Sequence, residues 1–218
     1  SGYTNNTNYP NGLEYIGDPS VQHNGVYDVV GAAILTTAYA SQCATSLTSY
    51  FKVKNVQVTT DHNQAKGVYY RGGAGNVIIE DVLVKHLQTI NDYSNSFDFT
   101  SSSAIGANVT LNRCRTAAAG GGGFMGRSDN NVVAIDCISD SVNVVGGSYR
   151  AGFQNLQAIN CISRNTGGAS PDFHSDIKAG SSNNVSEDDS AVTVGIGTQE
   201  DMTGWFDGDN KLTALAQT

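Results

Sequence analysis

The sequence predicts an all-β chain wound into a β-solenoid of about six coils, with a cap at each end. Three observations carry that prediction. The first is a recurring motif: Val53-Lys54-Asn55-Val56-Gln57-Val58, Ile79-Glu80-Asp81-Val82-Leu83-Val84, Leu111-Asn112-Arg113-Cys114-Arg115-Thr116, Ala134-Ile135-Asp136-Cys137-Ile138-Ser139 and Ala158-Ile159-Asn160-Cys161-Ile162-Ser163. With a degenerate sixth copy at Asn183-Asn184-Val185-Ser186, the third-position residues fall at 55, 81, 113, 136, 160 and 184. A repeat of 20 to 50 residues means stacked units that cannot bury their apolar face singly. The second observation is the content of each unit, β-rich runs separated by Gly, Asn and Ser with no helical periodicity. The third is composition: 25 Gly against only 3 Pro in 218 residues supplies turns while leaving strands unbroken.

Taken in order, residues 1–48 do not show the repeat. Asn5, Asn6, Pro10, Asn11 and Gly12 read as irregular, and the apolar run Val26 to Thr36 reads as an incomplete first coil or a cap. A cap is required physically, because an open solenoid end exposes strand edges and apolar core. Residues 49–189 form the solenoid. About eleven residues before most markers lies a second strand candidate: Val68 to Arg71, Gly123 to Gly126, Gly147 to Arg150 and Ser170 to His174. In that frame Tyr70, Met125, Tyr149 and Phe173 share a phase and are expected to stack in the interior. The wide interval between markers 81 and 113 places an insertion at about 87–107, with Tyr93, Phe97 and Phe99 in it. Insertions in solenoids map to loops on one face, often the binding face. Residues 190–218 lose the period and, with Trp205 and Phe206, read as a C-terminal cap or tail.

The four cysteines are Cys43, Cys114, Cys137 and Cys161. The last three hold one phase of consecutive repeats and should stack about 4.8 Å apart, the distance between paired strands. Val56, Val82 and Val185 fill that phase elsewhere, so the column reads as small buried filler, in keeping with free Cys as a small hydrophobe. No C-x-x-C pair and no His at zinc spacing accompanies it. The marker residues share another phase, where stacked Asn amides can hydrogen-bond along the axis. Arg113 falls between Asp81 and Asp136, which separates two acids that would otherwise repel.

The x-Asn-Cys-x-Ser marker and the Gly-rich second strand resemble the right-handed, single-stranded parallel β-helix proteins of the pectin-lyase-like superfamily. They are similar above all to β-helix repeats of bacterial surface and phage-encoded proteins. The resemblance covers about residues 49–186. It implies an extracellular or virion-surface location and either a structural, adhesive role, including glycan contact, or a polysaccharide lyase or hydrolase of the tailspike or pectate-lyase kind. Fold does not choose between these.

For the enzymatic alternative, the candidate catalytic residues are Arg127, Arg150, His174 and Asp172, with Asp176 beside them. In the repeat frame Arg127, Arg150 and His174 project from neighbouring coils in nearly one phase. His174 or Arg150 would act as base for a β-elimination, and Arg127 would neutralise a uronate carboxylate. The other reading of the same residues is a set of solvated, ion-paired side chains on the coil exterior, since alternate strand residues face outward. Asp81 and Asp136 lie two coils apart, near or beyond the limit for a glycosidase pair. No cofactor motif is present. Ca²⁺ is the one ion that the acidic runs Glu187-Asp188-Asp189 and Asp207-Gly208-Asp209-Asn210 would suit, though neither matches an EF-hand loop. His86, beside Lys85 at a strand end, reads as solvent-facing. A net charge of −8 argues against nucleic-acid partners, and no apolar run approaches the roughly 20 residues of a membrane span. Self-association, other surface proteins and polysaccharides are the expected partners.

Overall fold

The computed structural model describes residues 3–5, 12–17, 34–37, 42–46, 49–62, 64–87, 94–117, 119–140, 142, 150–164, 166–167, 171–188 and 190. It is a parallel β-solenoid, and no helix occurs among the described residues. The coils make about four turns rather than six.

Two parallel sheets form the walls. A six-stranded sheet stacks Tyr3–Asn5, Gln42–Ser46, Lys66–Tyr70, Phe97–Asp98, Phe124–Met125 and Phe153–Gln154, and a bridge from Phe153 to Phe173 extends it. The second sheet is eleven-stranded and bends at a corner. Tyr50–Thr60 and Asn76–His86 run through the bend unbroken. In later coils the bend separates two strands, as in Asn108–Asn112 and Arg115–Ala117 or Asn131–Ile135 and Ile138–Asp140. Upstream of residue 49 the ladders already exist: Leu13–Ile16 and Ile34–Thr37 both pair with Tyr50–Thr60, and Gln42–Ser46 pairs with Lys66–Tyr70.

The repeat marker is the corner itself. Asn55, Asp81, Arg113, Asp136 and Asn160 all have φ between 51° and 53°. This is the left-handed region, which L-residues other than Asn and Asp rarely adopt because Cβ crowds the following carbonyl. The sixth corner is Asn183 (φ 55°), not Asn184. Val185 pairs with Ile162, which moves Asn184 into the cysteine column and Val185 out of it. Asn184 is fully buried there, donating from Nδ2 to Ala158 O at 2.9 Å and accepting from Cys161 N at 2.9 Å. An amide thus serves the backbone where the column reaches its last described coil.

At the corners the marker side chains join neighbouring coils. Arg113 makes a two-pronged pair with Asp81 (2.7 and 2.9 Å), Asn160 Nδ2 donates to Asp136 Oδ1 at 3.2 Å, and Asn183 Nδ2 donates to Asn160 Oδ1 at 3.1 Å. Cys114, Cys137 and Cys161 are free and buried, with thiols directed at backbone carbonyls such as Ile135 O (3.2 Å from Cys137 Sγ). Burial pushes the Cys137 and Cys161 thiols well above their ordinary range, which keeps them protonated and unreactive.

The aromatic column differs from the expected one. Val68, Phe97, Phe124, Phe153 and Phe173 share it, and the rings of the four phenylalanines lie 4.7, 4.7 and 5.0 Å apart, within 8° of parallel. Met125 lies one residue beyond, paired with Asp98 and Gln154, while Tyr70 stacks on Phe51. Tyr149, Trp205, Phe206, Tyr93 and the acidic run 207–210 lie outside the described residues. A constant eleven-residue offset does not hold because the corner loops vary in length. The step from stacked ring to next corner is 12 residues from Phe124 to Asp136 but 7 from Phe153 to Asn160. Phe97 and Phe99, expected in an insertion at 87–107, are instead fully buried core.

The glycines have a steric cause. A Cβ on Gly123 would lie 2.4 Å from Ser139 Oγ, and one on Gly152 would lie 1.9 Å from Ser163 Oγ. The inward-facing Ser139 and Ser163 therefore require glycine on the opposing wall. His86 is another correction. It is buried, its Nδ1 is 2.7 Å from Thr60 Oγ1, and burial lowers its pKa to about 4. The alternation that starts at Val82 and Val84 carries it inward.

Candidate functional site

Two edges flank the aromatic strand of each coil, and the four candidate residues divide between them. His174 follows Phe173 directly, so it lines up with Gln154 and Met125. Arg127 stands two residues past Met125 in the loop 127–130. Both therefore belong to the trailing edge. Arg150 precedes Phe153 by three residues and Asp172 precedes Phe173, which puts them on the leading edge. The single phase expected for Arg127, Arg150 and His174 does not form, because Arg127 comes after its ring and Arg150 before its own.

Asp172 is buried, and its carboxylate is held on both oxygens. Oδ1 accepts from Ser163 Oγ (3.0 Å) and Thr166 Oγ1 (2.6 Å), and Oδ2 accepts from the backbone N–H groups of Glu187 (2.8 Å) and Asp188 (3.3 Å). Burial raises its pKa, the nearby Asp188 adds to the rise, and the hydrogen bonds work against it. Asp188 in turn accepts from Asp172 N and Ser190 N, each at 3.0 Å. This network ties the last described coil to the one before it.

The trailing edge is a charged corner built from two turns. Arg127 Nε donates to both Asp129 carboxylate oxygens at 2.7 and 3.0 Å. His174 Nδ1 lies 2.7 Å from Asp176 Oδ1. The coil between them turns tightly at Asn155 (φ 55°), which lets the later turn reach across. Lys178 makes that reach: its Nζ donates to Arg127 O at 3.1 Å and to Asn130 O. Partial burial lowers the Lys178 pKa, with Asp129 opposing the shift. Asn130 is itself buried, bridging Phe99 O (3.0 Å) and Ala107 N (3.2 Å). Arg127, Asp129 and Lys178 are thus joined, and the His174–Asp176 pair lies on the same edge two coils on, which gives this edge charges of both signs.

Sequence reasoning found Arg127, His174 and Asp176 on this edge and missed Lys178 and Asp129. Asp129 is a neighbour of Arg127 within one turn, whereas Lys178 reaches that turn from two coils away. Asp81 is engaged by Arg113 and Asp136 by Asn160, two rungs apart, roughly 9.6 Å at the usual strand spacing. No three His, Cys, Asp or Glu side chains converge as a metal cage among the described residues. Asp189 lies outside them.

No family model matches the chain, and comparisons with curated proteins and with solved structures return no match.

Proposed function

We propose that the chain is a rigid structural or adhesive shaft of a virion or cell surface, which contacts glycans through its side. The observation that carries this reading is where the polar side chains are spent. Asp81 with Arg113, Asp136 with Asn160, Asp172 with its four donors, and Lys178 with two carbonyls all join one coil to another. Such an arrangement favours axial rigidity over a reactive group held in reserve. The lateral corner of Arg127, Asp129, His174, Asp176 and Lys178 offers the mixed donors and acceptors that acidic sugars engage.

A second reading has one observation in its favour. His174 is oriented by Asp176 on the same edge as Arg127, the arrangement of a base beside a carboxylate-neutralising cation in a pectate-lyase-like or tailspike-like enzyme. Arg150 and Asp172, on the opposite edge, fit that scheme poorly. The deciding experiment offers a panel of acidic polysaccharides and measures binding and unsaturated or reducing-end products together. Binding without chain cleavage, weakened by Arg127→Ala, supports the shaft. Cleavage abolished by His174→Ala would replace it with the lyase.

A further inference from the structure

Lys66 opens the strand Lys66–Tyr70, and Asn95 lies beside it, two residues before the paired parallel strand Phe97–Asp98. Val68 pairs with Phe97, so counting back places Lys66 beside Asn95, and Gly67 N donates to Asn95 O at 3.1 Å. Asp98 follows three residues later and is fully buried, and Asn95 is buried with it. One oxygen of Asp98 meets both side chains: Oδ2 lies 2.6 Å from Lys66 Nζ and accepts from Asn95 Nδ2 at 2.7 Å. The other oxygen is fixed by Thr100, from N at 2.9 Å and from Oγ1 at 2.7 Å. Asn95 Oδ1 accepts from the Gly122 N–H of the next coil at 2.9 Å. An amine, a carboxamide, a shared carboxyl and a backbone donor on the amide oxygen are therefore assembled in a mostly water-excluded place.

We propose that Lys66 and Asn95 become joined by an intramolecular isopeptide bond, with Asp98 as the catalytic acid–base group. Lys66 Nζ first passes a proton to Asp98 Oδ2 across their contact. Desolvation favours this transfer, because it replaces a fully buried carboxylate and a partly buried ammonium by a neutral pair. The free amine attacks Asn95 Cγ, forming the Nζ–Cγ bond and placing negative charge on Oδ1. The Gly122 N–H stands where that charge develops, as in an oxyanion hole. Asp98 returns its proton to Nδ2, the charge on Oδ1 collapses to rebuild the carbonyl, the Cγ–Nδ2 bond breaks and ammonia leaves. The surplus proton on Nζ passes to Asp98 and from there to the departing ammonia, which exits as ammonium and leaves Asp98 ionised. The net change is one amide exchanged for another with loss of NH₃, and no oxidant, metal or added reactant takes part.

The resting arrangement is an ion pair: burial works to raise the Asp98 pKa, but Lys66, Thr100 and Asn95 outweigh it and hold it below the usual carboxylate range. The bond consequently forms slowly from the minor neutral pair, and it then persists. Its product covalently links two successive coils, a reinforcement along the axis that does not depend on glycan contact.

Intact-mass spectrometry of the purified full chain tests this directly. The expected result is a mass one ammonia below that of the sequence, together with a branched proteolytic peptide joining the Lys66 and Asn95 segments. Lys66→Arg, which keeps the cation but removes the nucleophilic amine, and Asp98→Ala should each restore the full mass. Wild-type protein that keeps its full mass after prolonged incubation overturns the proposal. So does an ammonia loss without the branched peptide, since that marks a succinimide at an asparagine instead. The wild-type digest decides the matter even if a variant fails to fold.

Discussion

Substituting Asn160 separates the two things the corner column does. Its φ of 53° places it in the left-handed region, and its amide donates to Asp136 Oδ1 at 3.2 Å and accepts from Asn183 Nδ2 at 3.1 Å. Alanine removes both hydrogen bonds and leaves a Cβ in a conformation that costs about 1–2 kcal/mol for an ordinary L-residue. The two bonds are solvent-exposed, so each contributes at most about 0.5 kcal/mol. Glycine removes the same bonds but carries no Cβ, and costs roughly 0.5–1 kcal/mol through the entropy of the unfolded chain. Asn160→Ala should therefore lose about 2 kcal/mol and Asn160→Gly about 1 kcal/mol, with glycine the more stable of the two. Urea unfolding followed by far-UV circular dichroism measures this, provided the m-values agree, because a solenoid can unfold in parts. An alanine variant as stable as the glycine variant would refute the conformational argument and leave the amide ladder as the reason for asparagine. Arg113 gives the complementary case. Arg113→Gly breaks an exposed two-pronged pair with Asp81, worth about 0–1 kcal/mol, and adds roughly 0.5–1 kcal/mol of glycine entropy, while relieving about 1–2 kcal/mol at φ 51°, so its net effect should be close to zero.

Gly152→Ala should destabilise by about 2 kcal/mol or more, since the new Cβ would lie 1.9 Å from Ser163 Oγ and 2.7 Å from Asp172 O. Adding Ser163→Ala should recover only part in thermal melts, because the backbone contact remains. For pH, His86 has a folded pKa of about 4 against 6.5 in the unfolded chain. Between those values the unfolded state binds the extra proton, so stability rises with pH through that window and is lost as pH falls from 6.5 towards 4, by about 3 kcal/mol in all. Comparing wild type with His86→Leu in urea titrations at pH 7 and pH 4.5 isolates this contribution. A pH dependence unchanged in the variant would show that His86 is not buried and neutral.

The parts of the fold that repeat in sequence were legible, and the parts that differ from coil to coil were not. The marker at Asn55, Asp81, Arg113, Asp136 and Asn160 was visible because a left-handed corner restricts residue type, and the cysteine column because it alternates with Val56 and Val82. The slip of one residue at Asn183 and Asn184 was hidden by two adjacent asparagines, of which burial, not residue type, selects the corner. The phenylalanine column was obscured because loops of unequal length separate Phe97, Phe124, Phe153 and Phe173 from their markers. The same inequality divided the candidate site. Arg127 and Arg150 look equivalent only if every coil has the same length, and Lys178 reaches Arg127 from two coils away.

The glycines and the inward serines show why the repeat resists being read as chemistry. Ser139 and Ser163 face Gly123 and Gly152 across a narrow part of the coil where no larger side chain fits. The same narrow interior still pairs hydroxyls: Thr116 bonds to Ser96, and Ser163, although it faces Gly152, donates to Asp172. Polarity in this interior therefore follows the local wall spacing, and a buried Asp or Ser in the repeat first answers a packing demand. Asp172 is that case, its oxygens occupied by the coils it joins. Asp98 is the contrasting case, because one of its oxygens is shared between an amine and a carboxamide that can react with each other. By that criterion a polar group in this solenoid is a candidate for chemistry when its partners are mutually reactive, and Lys66, Asn95 and Asp98 meet it where Asp172 does not.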